Sequence, residues 1–335
     1  MVNRATMRDV AALAGVSLKT VSRVVNGEKG VSQKLVERVQ HAAEKLRYRH
    51  NLAASNLRSG QRTKSVALLV QDLSNDYSVT LLRVIDDTMR EHGVVMFSAS
   101  LDEEAERERQ LVDNFIARRV DGLLLMPATS SQAYLQSEMA AGFAVVVVDR
   151  VPRDLSADYV VVDNIDGARK ATAQLIAHGH RRIALICDDL SIPTARDRRD
   201  GYLDMLRASG IAIDDSLIHV ARTEQAATAT VLKLFSSPDP PTALFTARNT
   251  ITICAIAALK TLEVQSSIAL VGFDDIPMAD LLNPGITTVV QDLNQIGTLV
   301  AKMLLARLNG SQDHHRGIIL QTALCPRGSG EIRKE

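Results

Sequence analysis

Lys19 and Arg23 stand four residues apart in the run Ser17-Leu-Lys-Thr-Val-Ser-Arg-Val-Val-Asn26, so on a helix they share one face. Cations placed that way hold phosphates or hydrogen-bond guanine edges in the major groove. A second set of polar residues suits other chemistry. Asp72, Asp149 with Arg150, Arg248 with Asn249, and Asp274 with Asp275 each stand where an apolar run stops. Carboxylates and guanidinium forks hydrogen-bond several hydroxyls, or a carboxylate, at once. One such Asp alone can simply cap the next helix, so several converging on a cleft carry the binding reading.

Catalysis finds little support. The chain has no Gly-x-Ser-x-Gly elbow, no Gly-x-x-x-x-Gly-Lys loop and no Gly-x-Gly-x-x-Gly. His178 and His180 flank a glycine before an apolar run, where a structural role fits better, and His314-His315 lies in a polar stretch without neighbouring ligands. Cys187, Cys254 and Cys325 show neither disulfide nor zinc spacing, and a reduced cytoplasm is expected. Apolar runs such as Phe143–Val148 are too short for a bilayer, and no secretory leader is expected. No cofactor and no metal are implied.

The chain of 335 residues carries 39 Lys and Arg against 39 Asp and Glu, which alone argues against nucleic acid. The balance hides an asymmetry. Residues 1–64 hold 13 basic and 4 acidic side chains, a net of +9, and residues 65–335 hold 26 and 35, a net of −9. Aromatics are 3% with no Trp, so stacking platforms for single strands are scarce.

The elements that position these residues follow from period and caps. Thr6-Met7-Arg8-Asp9 is a capping-box pattern opening a first helix whose Met7, Val10, Ala11 and Ala14 share a face, and Gly15 supplies a turn. Ser17 can cap a second helix with Val21, Val24 and Val25 inward and Leu18, Lys19, Ser22, Arg23 and Asn26 outward. A third helix from about Ser32 carries Val36, Val39, Ala43 and Leu46. Such a trio is either a generic three-helix bundle or a helix-turn-helix, and the local charge favours the second, with double-stranded DNA as partner. Residues 51–59 form a short helix-capable stretch in which Leu57 suits a wedge in the minor groove or a contact with a second subunit.

From Ser65 onward, apolar runs alternate with amphipathic segments, the rhythm of βαβ units. Strands are expected at 66–70, 94–97, 122–125, 145–148, 160–162, 183–186, 218–221, 243–245, 268–271 and 288–290. The charged run Glu103–Arg109 reads as a solvated helix face. Ten strands with a break at Arg150–Asp154 imply two doubly wound parallel-sheet lobes behind an all-α head. The expected divisions are a DNA-binding domain over 1–50, a hinge and linker over 51–64, and a ligand-binding and dimerisation domain over 65–335. Its first lobe takes about 65–162 plus 292–320, its second 163–291 plus 321–335.

Met7-Arg-Asp-Val-Ala-Ala-Leu-Ala-Gly-Val-Ser-Leu-Lys-Thr-Val-Ser-Arg-Val-Val-Asn26 resembles the head of the lactose-repressor (LacI/GalR) family of bacterial transcription regulators. Asn51–Leu57 resembles its hinge helix. The resemblance continues through His178–Ile183, Val271–Asp275, Gln291-Asp292 and Arg327–Ser329. It implies a periplasmic-binding-protein-like body and a cytoplasmic, effector-responsive repressor of carbohydrate utilisation, without catalytic activity. A homodimer on a palindromic operator follows, with no leucine heptads after Gly310 for a tetramer.

By the same resemblance, Leu18, Lys19 and Arg23 face bases, Thr6, Ser17, Thr20, Ser22 and Asn26 lie at the DNA, and Asn51, Ala54 and Leu57 belong to the hinge contact. Arg198 and Asp274 match positions that grip sugar hydroxyls, and Asp72, Tyr77, Asp149 and Gln291 match others lining the cleft. Two departures stand out, Asn75-Asp76-Tyr77 and Arg248-Asn249. The added cation of Arg248 tilts the expected effector from a sugar toward a sugar acid. The rival readings are a solute-binding protein and a sugar-metabolising enzyme without a regulatory role.

Overall fold

The computed structural model describes residues 5–26, 28, 30–49 and 62–334. Expected sites Asn51, Ala54 and Leu57 lie outside the described residues. The chain forms two compact units, residues 1–63 and 64–335.

The first unit contains α1 (Met7–Ala14), α2 (Leu18–Val25) and α3 (Gln33–Lys45). Thr6 and Asp9 close the capping box in both directions, with the Thr6 amide donating to Asp9 at 2.7 Å. Gly15, in the left-handed region at φ 61°, ends α1, and the Val16 amide reaches back to the Ala11 carbonyl. Arg38 of α3 donates to the Ala14 carbonyl at 2.5 Å and to that of Gly15 at 3.3 Å, a cation on the negative end of α1. Val10, Ala11, Ala14, Val21, Val39 and Ala42 form the small core under this turn.

The second unit holds two six-stranded sheets. The first has the order β11-β5-β4-β3-β1-β2, with β1 (Ser65–Val70), β2 (Val95–Ser100), β3 (Gly122–Leu125), β4 (Ala144–Val148), β5 (Asp158–Val162) and β11 (Gly317–Leu320), all parallel. The second has the order β12-β10-β9-β8-β6-β7, with β6 (Ile183–Cys187), β7 (Ile218–Val220), β8 (Ala243–Thr246), β9 (Ala269–Phe273), β10 (Thr287–Val290) and β12 (Ala323–Cys325). Only β12 runs antiparallel there. Central strands such as 66–70 and 269–273 are buried throughout, as continuous Val, Leu and Ile runs require under helices on both faces.

Eight helices connect these strands: α4 (Asp76–Glu91), α5 (Ala105–Ala117), α6 (Gln136–Ala140), α7 (Asn164–Ala177), α8 (Pro193–Ala208), α9 (Glu224–Phe235), α10 (Asn249–Thr261) and α11 (Leu293–Leu308). The chain passes between the sheets three times: between β5 and α7, between β10 and α11, and between β11 and β12. α11 therefore returns to the first lobe, where it packs in one cluster with Leu81, Ile85 and Val146.

The ten expected strands all exist, with ends shifted by up to three residues. β11 and β12 were not among them, being four and three residues long and half-exposed. The solvated face expected at Glu103–Arg109 is exposed except at Glu108, where it needs correction. Glu108 is fully buried and accepts from the amides of Ala128 and Thr129 (3.0 Å for the latter), the Thr129 hydroxyl (2.6 Å) and the Tyr134 phenol (2.6 Å). Four donors replace the water that a carboxylate loses on burial, and the loop after β3 is anchored to α5.

Candidate functional site: the cleft at the strand ends

In each sheet the strand order reverses beside its first strand, β1 or β6, and the adjoining carboxyl ends border a crevice. Asp149 and Asp274 occupy matching positions, the residue after β4 and after β9. Both adopt the left-handed backbone, φ 72° and 68°, which a short polar side chain tolerates better than most.

A continuous polar chain crosses this crevice. Tyr77, in the first turn of α4, donates to Oε1 of Gln291 at 3.3 Å, and Nε2 of Gln291 donates to Asp274 at 2.5 Å. Asp274 also receives Nη1 of Arg198 at 3.1 Å, while Nε of Arg198 reaches Oδ1 of Asn164 at 2.8 Å and Nη1 the Ala247 carbonyl at 2.9 Å. The Arg198 guanidinium lies 3.8 Å from the centre of the Phe273 ring. Beside this chain, Asn75 and Asn249 exchange amide bonds of 3.1 and 2.7 Å from one lobe to the other.

Burial shifts two groups of this site. It pushes the Tyr77 phenol well above its ordinary range, helped by Asp149 and Asp274, so Tyr77 remains a neutral donor. Burial likewise raises Asp149 above the usual carboxylate range against the pull of Arg150 and Arg198. The result is a half-buried set of donors and acceptors matched to hydroxyl groups.

The structure brings Asp72, Tyr77, Asp149, Arg198, Arg248, Asn249 and Asp274 around one chamber. Gln291 joins them through Tyr77 and Asp274. Asp72 spends one carboxylate oxygen on the amide and hydroxyl of Ser74, both at 2.7 Å. Arg248 forms an ion pair with Asp188, so the cation that favoured a sugar acid is already neutralised within the protein. Gln71, Asn75, Glu103, Arg150, Asn164 and Asp188 complete the site. Arg150 carried a signal in its place beside Asp149, whereas Asn164 and Asp188 follow their strands like any helix-opening polar residue.

In the first unit, Lys19 is exposed and Leu18 is 45% exposed on the outer face of α2. Ser17 caps α2 through the Thr20 amide at 3.1 Å and meets the Thr20 hydroxyl at 2.9 Å. Arg23 pairs with Glu28 at 3.3 Å, while Asn26 donates to Ser22 at 3.4 Å. Both Glu28 and Asn26 are exposed, as is Thr6 at the start of α1. His180, expected to be structural, is buried between the Thr242 hydroxyl at 2.9 Å and the Ile332 carbonyl at 2.8 Å.

Residues 6–51 match the model of bacterial regulatory proteins of the lacI family, and 172–330 match a periplasmic binding protein-like domain. The ribose operon repressor of Escherichia coli (strain K12) is 30% identical over 329 residues, covering 97% of this chain and 99% of that protein. The chain belongs to the lacI family of bacterial regulatory proteins. Another family member, catabolite control protein A of Priestia megaterium, is 29% identical over 91% of this chain and 92% of its own length. Among solved structures, the lac repressor dimer bound to operator and the anti-inducer ONPF matches with a TM-score of 0.83 at 25% identity, covering 98% and 99% of the two chains. A cellobiose complex of the transcriptional regulator CelR matches at 0.70 and 29%, covering 97% and 100%. Membership makes the chain a DNA-binding transcriptional regulator rather than an enzyme. No helix among the described residues is long and apolar enough to cross a membrane.

Proposed function

We propose that this family member is a cytoplasmic repressor of carbohydrate-utilisation genes whose cleft binds a polyhydroxylated effector and thereby changes its affinity for a palindromic operator. The observation that carries the reading is the hydrogen-bonded chain Tyr77–Gln291–Asp274–Arg198–Asn164, buried at its last three members. It joins both lobes in a protein that also holds a helix-turn-helix. A ligand that replaces any of its bonds alters how the lobes meet, and that is a coupling free energy between sites, about 1–3 kcal/mol in typical cases.

In this reading Leu18, Lys19 and Arg23 read bases, Arg23 exchanging Glu28 for DNA. Thr6, Ser17, Thr20, Ser22 and Asn26 hold the helix against the backbone, and Asn51, Ala54 and Leu57 serve the hinge contact. Arg198 and Asp274 grip hydroxyls, with Asp72, Tyr77, Asp149, Arg248, Asn249 and Gln291 around them. Relatives named as ribose operon repressor, lac repressor dimer on operator and cellobiose complex support a sugar, a dimer and an operator. Exposed apolar side chains offer dimer faces: Val95 and Phe97 on the edge strand β2, and Ile253 with Met278 and Leu281 beside one core cluster of the second lobe.

A thermal-shift screen of sugars, sugar acids and sugar phosphates on the full chain tests the reading. A ligand at 100 times its dissociation constant adds about 2.7 kcal/mol of stability. A melting temperature unmoved by every class contradicts it.

A further inference from the structure

The crevice has two connected chambers of unequal size. The inner one, around Asp274, Arg198 and Tyr77, has a volume of about 80 Å³. Its polar groups largely satisfy one another, through the Asn75–Asn249 exchange and the bonds of Gln291 and Arg198 to Asp274. The outer chamber measures about 610 Å³. That is mid-range among the roughly 300–1,000 Å³ sites that enclose drug-sized ligands, with room for more than one sugar ring.

The charge of the outer chamber narrows the ligand further. Its lining contains five arginines and five carboxylates, a formal balance. Arg150 pairs with Glu103, Arg248 with Asp188 and Arg222 with Asp189. Such pairs set donors beside acceptors, the pattern that neighbouring hydroxyls of a sugar complement, without the excess of one sign that selects an ion.

Two unmet groups lie where the chambers join. Gln71 donates its amide to the Met126 and Pro127 carbonyls at 2.9 and 3.2 Å, leaving Oε1 buried without a partner among the described residues. Nε of Arg150, in a side chain only 7% exposed, is buried without a hydrogen bond among the described residues and faces Asp149 Oδ2 at 3.5 Å. Buried polar atoms in this state are rare in proteins and call for an explanation. A hydroxyl both donates and accepts, so a sugar hydroxyl supplies what Gln71 Oε1 and Arg150 Nε each lack.

We infer that the effector is a neutral saccharide of at least two rings, its bulk in the outer chamber and its hydroxyls on Gln71 and Arg150. This rests on the reading of the cleft as a sugar site. Isothermal titration calorimetry on the full chain tests it with ribose, glucose, galactose and fructose, with cellobiose, maltose, lactose, sucrose and trehalose, and with glucose 6-phosphate. At least one disaccharide is expected to bind tenfold or more tighter than every monosaccharide, and glucose 6-phosphate no tighter than glucose. In Asp189→Asn/Arg222→Gln, altered at the exposed rim, the preference for the disaccharide should shrink about tenfold, the size of one lost charge-assisted hydrogen bond. A monosaccharide that binds as tightly as any disaccharide overturns the inference and leaves the sugar sensor standing, and so does a preference for the phosphate ester. Failure of all these probes to bind overturns both.

Discussion

Arg198 is held by Asn164, Asp274 and the Ala247 carbonyl and lies over Phe273, so its guanidinium is fixed before any ligand arrives. Arg198→Ala strands a buried carboxylate, a change that costs about 3–5 kcal/mol when a buried pair is broken. It should lower the melting temperature and abolish the effector response together. Asp274→Asn, which keeps a side-chain acceptor for Arg198, should abolish the response at a smaller stability loss. Melting curves and effector titrations of both variants check this, and an effector response retained in Asp274→Asn excludes that carboxylate from the site.

His180 gives a pH signature at the same scale. Burial holds its imidazole below its usual range, so the unfolded chain binds the proton more readily than the native one. Its contribution is therefore complete above the unfolded pKa of about 6.5 and is lost as pH falls below it. The melting temperature should drop between pH 7.5 and 5.5. His180→Gln should be less stable at pH 7.5 but show a shallower drop, and parallel curves for the two proteins would assign the drop to other groups.

At the scale of elements, the proposed function gives α2 and α3 different kinds of DNA contact. With Arg23 proposed as a base reader, Arg23→Ala should cost on the order of 1–3 kcal/mol on the cognate operator and relax one base position. Lys34→Ala, on the exposed start of α3, should weaken all duplexes alike. Equal losses for Arg23→Ala on matched and mismatched duplexes would refute base reading there. In the body, α7 and α8 touch so closely at Gly201 that an added Cβ would sit 2.3 Å from the Ile165 carbonyl oxygen. Gly201→Ala must push the two helices apart, and α7 and α8 carry Asn164 and Arg198. The variant should melt lower and bind effector more weakly, and unchanged effector affinity would show that the helix spacing does not set the grip.

Elements with a strong period were legible in the sequence: the capping box at Thr6, the inward valines of α2 and the fully apolar central strands. β11 and β12 were not, because three or four half-exposed residues carry no period and gain their order from the strands beside them. Glu108 was misread because its partners, Ala128, Thr129 and Tyr134, lie 20 or more residues away. The cleft was legible as a set of strand-end residues. Its pairing was not, since Arg248 with Asp188 and Asn75 with Asn249 are separated by 60 and 174 positions.

At the scale of the molecule, a head of net +9 and a body of net −9 divide the work between DNA and ligand. The two sheets share one strand order and are joined by three crossings, and the second crossing carries Gln291, which bonds to Tyr77 of one lobe and Asp274 of the other. A ligand in the cleft thus acts where both lobes and a connection meet. The central claim is that this occupancy governs operator binding. The most direct test is the operator affinity of the full chain, on the palindromic duplex it enriches from a random library, with and without the sugar that most raises its melting temperature. The account predicts a change of about 5- to 150-fold, lost in Asp274→Asn. A sugar that binds the cleft and leaves operator affinity unchanged would contradict it.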